Sequence, residues 1–396
     1  LAKLNVVVGK FGRAVLFDKR KWAAVGGDNE PSSLFLTLAR MNPDVDFYML
    51  GRSDMRDFSE GELPPNMIDV WEGKKTLFDG MFNWPAERLK DVDVHAGIMM
   101  SGPASGTSIP GVVRMADGSE GHVTPTDMQL KYAGPMMHYL NTSGIPYFVV
   151  SPDPRYIKLG RDCINPPVIS LSQYDTEVRW KAQTAYDNTD LREVVVPVRY
   201  VGTETMFLLG RERPDFNALP EKDVEMAVVL NEGGRLGTRP RGEKLQRYAL
   251  MHFPKMEVYG KWSEPYSEDD RFVGPVPFED LQRDVLPRLK YTVIIPIKRG
   301  WVTAKYWEMA HYGIVPFMHP EYDMQRHVPC PDYLRLNSPM DLAKRVRELN
   351  ADEDKLGKVL AGVERTLLPK YYDGSHINKV VMSAVDYVMR KSGGRR

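Results

Sequence analysis

Short apolar runs rich in Val, Ile and Phe recur along the chain. Each empties into a glycine-containing loop and is followed by a stretch with helical spacing of its apolar positions. Leu4–Val8 predicts a strand ending at Gly9 and Gly12, and Ser32–Met41 a helix behind the loop Gly26-Gly27-Asp28-Asn29-Glu30-Pro31. Asp46–Leu50, Val92–Met100 and Ile145–Val150 predict further strands, with a helix over Met128–Asn141. The runs are continuous rather than alternating, as expected of strands covered on both faces in a parallel sheet. Repeated strand, loop and helix on this scale predict a doubly wound α/β domain.

A second series opens with a strand over Val224–Leu230, a Gly- and Arg-rich loop from Asn231 to Gly242 and a helix over Glu243–His252. Met256–Tyr259 predicts a strand, Phe278–Leu289 a helix, Tyr291–Ile297 a central strand, Thr303–Tyr312 a helix and Ile314–Met318 the next strand. Pro339–Asn350 is a further amphipathic helix. The expected architecture is two Rossmann-like, doubly wound α/β domains facing a cleft. The first spans 1–200 and the second 201–374; a terminal helix within 375–396 (Ser375–Lys391) returns toward the first. Open parallel sheets take ligands at the carboxyl ends of their strands, so chemistry is expected in the loops that follow them.

Two such loops are rich in chemistry. In Tyr291–Pro320 a buried strand runs into Lys298-Arg299-Gly300, and a helix starts directly afterwards. Glycine allows a tight turn and close approach of a ligand to the backbone. The first turn of a helix offers unpaired N–H groups and a positive dipole end, which suit a phosphate. Lys305 and Glu308 lie three residues apart on that helix and share a face. A carboxylate there suits a pair of ribose hydroxyls better than a phosphate. The alternative is a solvated helical ion pair beside an ordinary turn. The second loop, Asn231–Lys244, carries Arg235, Arg239, Arg241 and Lys244 between a strand and a helix. Arginine grips phosphate bidentately, so this is a candidate diphosphate clamp.

Lys and Arg together number 53 and so do Asp and Glu, so any nucleic-acid contact must come from a local basic face. The two cysteines, Cys163 and Cys330, form no CxxC pair and no cluster with histidine, which favours a reduced, cytoplasmic protein. Leu1–Gly9 is too short an apolar run for a secretion signal, and no stretch has the ~20 apolar residues of a membrane span. No metal-ligand spacing is evident, and no Gly-x-Gly-x-x-Gly follows the first strand, which disfavours NAD-dependent chemistry.

These features resemble the donor-binding domain of GT-B glycosyltransferases. The basic residues Arg239, Arg241 and Lys244 follow the first strand of the second series. A Gly loop with its helix, Gly300, Trp301, Val302, Thr303 and Glu308, follows later, as does the turn Gly313-Ile-Val-Pro316. The resemblance covers about 224–318, with a longer loop after Leu230 and no second acidic residue upstream of Glu308, where Gly300 and Trp301 stand. It implies a nucleotide-sugar donor, UDP-glucose favoured, held by Arg235, Arg239, Arg241, Lys244, Gly300, Trp301, Val302, Thr303, Lys305 and Glu308, with no metal required. A general base would come from the first domain, with Asp28, Asp93 and His95 as candidates. Asp28 could equally cap the helix that begins near Ser32, and His95 could be a core histidine.

For the acceptor, the overall plan resembles phage-type DNA glycosyltransferases, which implies duplex DNA bearing a hydroxymethylated base. Phe17-Asp-Lys-Arg-Lys-Trp22 is a basic run flanked by aromatics of the kind that can touch a DNA backbone. The alternatives are a sugar-nucleotide epimerase of the same fold and a non-catalytic nucleotide- or glycan-binding protein. No membrane partner is expected, and the compartment would be the cytoplasm, that of the host if the chain is phage-encoded.

Overall fold

The computed structural model describes residues 3–11, 31–49, 64–70, 84–101, 111–114, 120–123, 139–140, 142–151, 168–170, 198–200, 204–232, 241–263, 266–296, 299–300 and 302–393. Its framework is a pair of parallel sheets. The first contains β1 (Leu4–Phe11), β2 (Val45–Met49), β3 (Met67–Asp69), β4 (Ala96–Ser101), β7 (Tyr147–Ser151), β8 (Val168–Ser170) and β9 (Val198–Tyr200) in the order β3-β2-β1-β4-β7-β8-β9. Between β4 and β7 an antiparallel hairpin, β5 (Gly111–Arg114) with β6 (Glu120–Val123), stands apart from this sheet. The second contains β10 (Val224–Val229), β11 (Glu257–Tyr259), β12 (Phe272–Gly274), β13 (Leu289–Ile294) and β14 (Val315–Met318) in the order β12-β11-β10-β13-β14. Strand order reverses beside the first strand of each sheet, between β1 and β4 and between β10 and β13. Such a reversal leaves a crevice at the carboxyl ends, because the loops there diverge to opposite faces.

The helices cover these sheets. In chain order they are α1 (Pro31–Met41), α2 (Trp84–Arg88), α3 (Glu204–Leu208) and α4 (Gly242–Leu245), which continues as a π-helical turn over Gln246–Leu250. Then come α5 (Lys305–His311), α6 (Pro339–Ala351), α7 (Glu353–Glu364), α8 (Pro369–Tyr372) and α9 (Ser375–Gly393). Local chemistry sets several ends. Ser338 and Asp341 form a reciprocal capping box at α6, with Pro339 in the first turn, and the Asp352 carboxylate accepts the Lys355 N–H at 2.9 Å to start α7. In α9, Ile377, Val381, Val385 and Val388 recur at helical spacing, and all are buried with Val6, Val8, Phe35, Phe47 and Phe148 of the first core. Burying each such side chain contributes ~1.5–3 kcal/mol, enough to hold the last helix on the first sheet.

The chain crosses between the cores at two places that touch. Leu208 belongs to the second core and its neighbour Leu209 to the first. The Gly210 N–H donates to the Tyr372 carbonyl at 2.9 Å, which joins the outward crossing to the return. At the return, Gly374 has φ +79° and lies so close to α1 that a Cβ would fall 2.3 Å from Thr37 Cγ2, so only glycine fits.

Some expected elements are placed differently. The run over 278–289 is a chain of short turns, α-helical at Phe278–Asp280, π-helical at Leu281–Val285 and 3-10 at Leu286–Arg288. Pro287 lacks the N–H a continuous helix needs, and β13 begins at Leu289, two residues earlier than expected. The strand expected from Val92 starts at Ala96. Val198–Tyr200, not singled out as a strand above, is the edge strand of the first sheet. Only Tyr139 and Leu140 of the expected helix over 128–141 fall within the described residues.

Candidate functional site

The crevice of the second sheet is built by the segments that follow β10, β13 and β14. After β10, the Leu230 N–H pairs with the Tyr259 carbonyl and the Glu232 N–H with the Lys261 carbonyl, each at 2.9 Å. The chain then returns at Arg241, which opens α4. One guanidinium nitrogen of Arg241 donates to the Asn231 carbonyl at 2.9 Å, while its Nε is buried with no partner. Burial pushes the Arg241 side chain down to about 10, so it is still a cation at neutral pH. Lys244, one turn further on, is ion-paired with Glu321.

After β13, Gly300 adopts φ +72° and its N–H donates to the Glu321 carbonyl at 2.7 Å. Arg299 is exposed, with its Nε 3.1 Å from Met324 Sδ. Helix α5 is shorter than the sequence suggests, and the backbone just before its first turn is tied down by Tyr322. The Tyr322 hydroxyl accepts the Thr303 N–H at 3.2 Å and donates to the Thr303 carbonyl at 2.6 Å, and the Lys305 N–H points to Thr303 Oγ1 at 3.4 Å. Tyr322 is fully buried, so this tie is part of the core. Of the N–H groups expected to face a phosphate, those of Thr303 and Lys305 are turned to Tyr322 and to Thr303 Oγ1, and the dipole of the helix end remains. Val302 is core, 1% exposed.

Glu308 is the unusual residue. Its Oε2 pairs with Lys305 Nζ at 2.5 Å, yet the side chain is only 6% exposed, whereas a solvated surface pair would be open to water. Its Oε1 is buried and accepts no hydrogen bond. A buried carboxylate oxygen without a donor typically costs 1–3 kcal/mol or more, so this oxygen can accept a hydroxyl or N–H that no described residue supplies.

The turn after β14 ties these pieces together, and sequence reading missed it. His319 stacks on Tyr248 at 4.4 Å, and its Nδ1 accepts the Glu321 N–H at 3.1 Å. Burial, aided by the Lys244 charge, pushes His319 down to about 4, so it is neutral at pH 7. The turn itself is anchored by Asp323, whose fully buried carboxylate accepts from the His327 and Val328 N–H groups and from Arg335 at 2.7–2.9 Å. The available signal was positional: this turn follows a predicted strand at the same sheet edge as the two loops already singled out.

The structure thus brings Arg241, Lys244, Gly300, Thr303, Lys305 and Glu308 to the segments leaving the adjacent strands β10 and β13. Arg235, Arg239, Trp301 and Asp28 lie outside the described residues, as does the Phe17–Trp22 run. Asp93 and His95 are placed away from any carboxyl-end crevice. They precede β4 at the amino-terminal edge of the first sheet, where the His95 Nδ1 accepts the Asn5 N–H at 3.1 Å and the Asn5 side chain donates to the Asp93 carbonyl at 2.9 Å. β4 spans six residues, about 20 Å at the usual strand rise, which separates both from the far edge. Among the described residues, no group of three or more His, Cys, Asp and Glu could hold a metal ion, and no helix is long and apolar enough to cross a membrane.

No protein-family model matches the chain, and no curated protein matches it in sequence. Solved structures do match in fold. A DNA-modifying β-glucosyltransferase, determined with and without uridine diphosphoglucose, aligns over 97% of this chain and 100% of its own, with a TM-score of 0.59 at 14% identity. The β-glucosyltransferase of phage T4 aligns over the same shares with a TM-score of 0.56 at 12% identity. A glycosyltransferase from Rickettsia africae aligns over 98% of this chain and 99% of its own, with a TM-score of 0.55 at 8% identity. The chain therefore shares the GT-B-type two-sheet fold of these proteins along nearly its whole length.

Proposed function

We propose that the chain is a nucleotide-sugar-dependent glycosyltransferase that moves a sugar from a UDP-type donor, UDP-glucose favoured, to a hydroxyl of a hydroxymethylated base in duplex DNA. The observation that carries this reading is the unpartnered, buried Oε1 of Glu308 at the reversal point of the second sheet. A ribose hydroxyl supplies the donor that this oxygen lacks. Arg241 and Lys244, with Arg235 and Arg239 from the same loop, take the diphosphate, and Lys305 and Arg299 add positive charge nearby. In this reading 1–200 is the acceptor domain, 201–374 the donor domain and 375–396 the returning helix, and the enzyme works in a cytoplasm.

In a single displacement, a base takes the proton of the acceptor hydroxyl as its oxygen bonds to the anomeric carbon. The bond from that carbon to the diphosphate oxygen breaks, and the departing charge is stabilised by the arginine and lysine side chains without a metal. Asp28, in the segment between β1 and α1, is the base we favour, because Asp93 and His95 sit at the wrong edge of the sheet. The DNA acceptor draws support from the fold likeness to the DNA-modifying β-glucosyltransferase and from the basic run at Phe17–Trp22.

Incubation with UDP-[14C]glucose and duplex DNA containing hydroxymethylated pyrimidines tests the proposal. Label is expected in the modified duplex and not in an unmodified one. Recovery of an isomerised donor would favour an epimerase, and donor binding without any turnover would favour a binding protein.

A further inference from the structure

We propose that the Glu321 carboxylate is a resident counter-ion of Lys244, displaced by a phosphate of the donor when it binds and restored when the nucleotide leaves. This rests on the donor site proposed above. In the Lys244–Glu321 contact a clamp cation is already neutralised by the protein at close range: Nζ and Oε2 are 2.5 Å apart. Both side chains remain open to solvent, at 25% and 39% exposure, so an incoming anion can reach them. An ion pair this exposed stabilises a fold little, and exchanging it for a phosphate leaves the architecture unharmed.

The scaffolding work of Glu321 is done by its main chain. Its carbonyl accepts the Gly300 N–H at 2.7 Å and its N–H donates to His319 Nδ1 at 3.1 Å. The carboxylate is therefore free to swing without loosening either loop. Burial alone would raise its proton affinity, but the hydrogen bond and charge of Lys244, with His319 and Arg299 adding to them, hold it below the ordinary carboxylate range. It is thus an anion at neutral pH, set where a diphosphate would bring two or three more negative charges. A like charge beside a phosphate is repulsive, so carboxylate and diphosphate compete for Lys244. The exchange weakens donor binding and eases release of the nucleoside diphosphate product.

Titration calorimetry with uridine, UMP, UDP and inorganic pyrophosphate on wild type and Glu321→Gln tests this. UDP and pyrophosphate are expected to bind Glu321→Gln roughly fivefold or more tightly, as removal of a like charge predicts, with a smaller gain for UMP and none for uridine. In Lys244→Met the same Glu321→Gln change should give no gain. Glu321→Ala, which keeps the main-chain hydrogen bonds, is read the same way should Glu321→Gln fold poorly. Unchanged or weaker UDP binding by a folded variant overturns the exchange alone, as does an equal gain for uridine. Absence of UDP and pyrophosphate binding in wild type and variants alike overturns the donor site together with it.

Discussion

Two buried side chains show how much of the site's chemistry is set by surroundings that a linear sequence does not display. Glu308 was legible as a candidate because it lies eight residues past a glycine turn and three past Lys305. What could not be read was that one of its oxygens is enclosed without a donor, since burial depends on how distant parts of the chain pack. His319 gave no signal, although it is only 6% exposed and lies against Tyr248. Its imidazole titrates near 4 when folded, against an ordinary 6.5, so the neutral form is the one the fold accepts. The stability linked to that depression is fully present above pH 6.5 and is lost as pH falls from 6.5 through 4. We expect His319→Phe to lose less stability than wild type over that window, by about 1–3 kcal/mol in denaturant melts at the two pH values. Parallel pH profiles would show that His319 carries no such linkage.

At the scale of elements, the strands of both sheets were the most legible features, because continuous Val, Ile and Phe runs report burial on both faces. Helix ends were less so. The helix after Gly300 was expected to open at Thr303, but it opens at Lys305, and a tyrosine fourteen residues beyond Glu308 reaches back to hold the Thr303 backbone. Nothing periodic connects the two positions, and the contact exists only because β14 brings the turn of 319–324 alongside the Gly loop. Removal of that hydroxyl in Tyr322→Phe leaves the Thr303 amide and carbonyl unpaired. It is expected to cost about 1–3 kcal/mol in urea melts and to weaken UDP binding as the amino end of α5 loosens. A variant as stable as wild type would mean that the tie to Thr303 is dispensable. Pro287 taught the converse lesson: it was visible in the sequence, and its effect on the helix over 278–289 follows from the missing N–H alone.

At the scale of the whole molecule, two doubly wound sheets were legible from the repeat of strand, loop and helix, and the matching solved structures share that plan end to end. The crossings between the two cores were less visible, because α3 and α8 are only five and four residues long. Glu204 opens the first crossing and is buried. Loss of hydration outweighs its own backbone hydrogen bond and the Lys370 charge, and raises its carboxyl to about 7 from an ordinary 4.5. A raised carboxyl favours the folded state below pH 4.5, and that advantage is lost as pH climbs from 4.5 through 7. Glu204→Gln should therefore raise the unfolding free energy at pH 8 more than at pH 5, by a difference on the order of 3 kcal/mol in urea melts. An equal change at both would contradict the buried, neutral carboxyl. The most direct test of the account as a whole compares UDP with 2′,3′-dideoxy-UDP on wild type and Glu308→Ala by titration calorimetry. Wild type should prefer UDP by roughly tenfold or more, about 1.4 kcal/mol, and Glu308→Ala should bind the two alike. A wild type that does not distinguish them, or a variant that still does, would contradict the account.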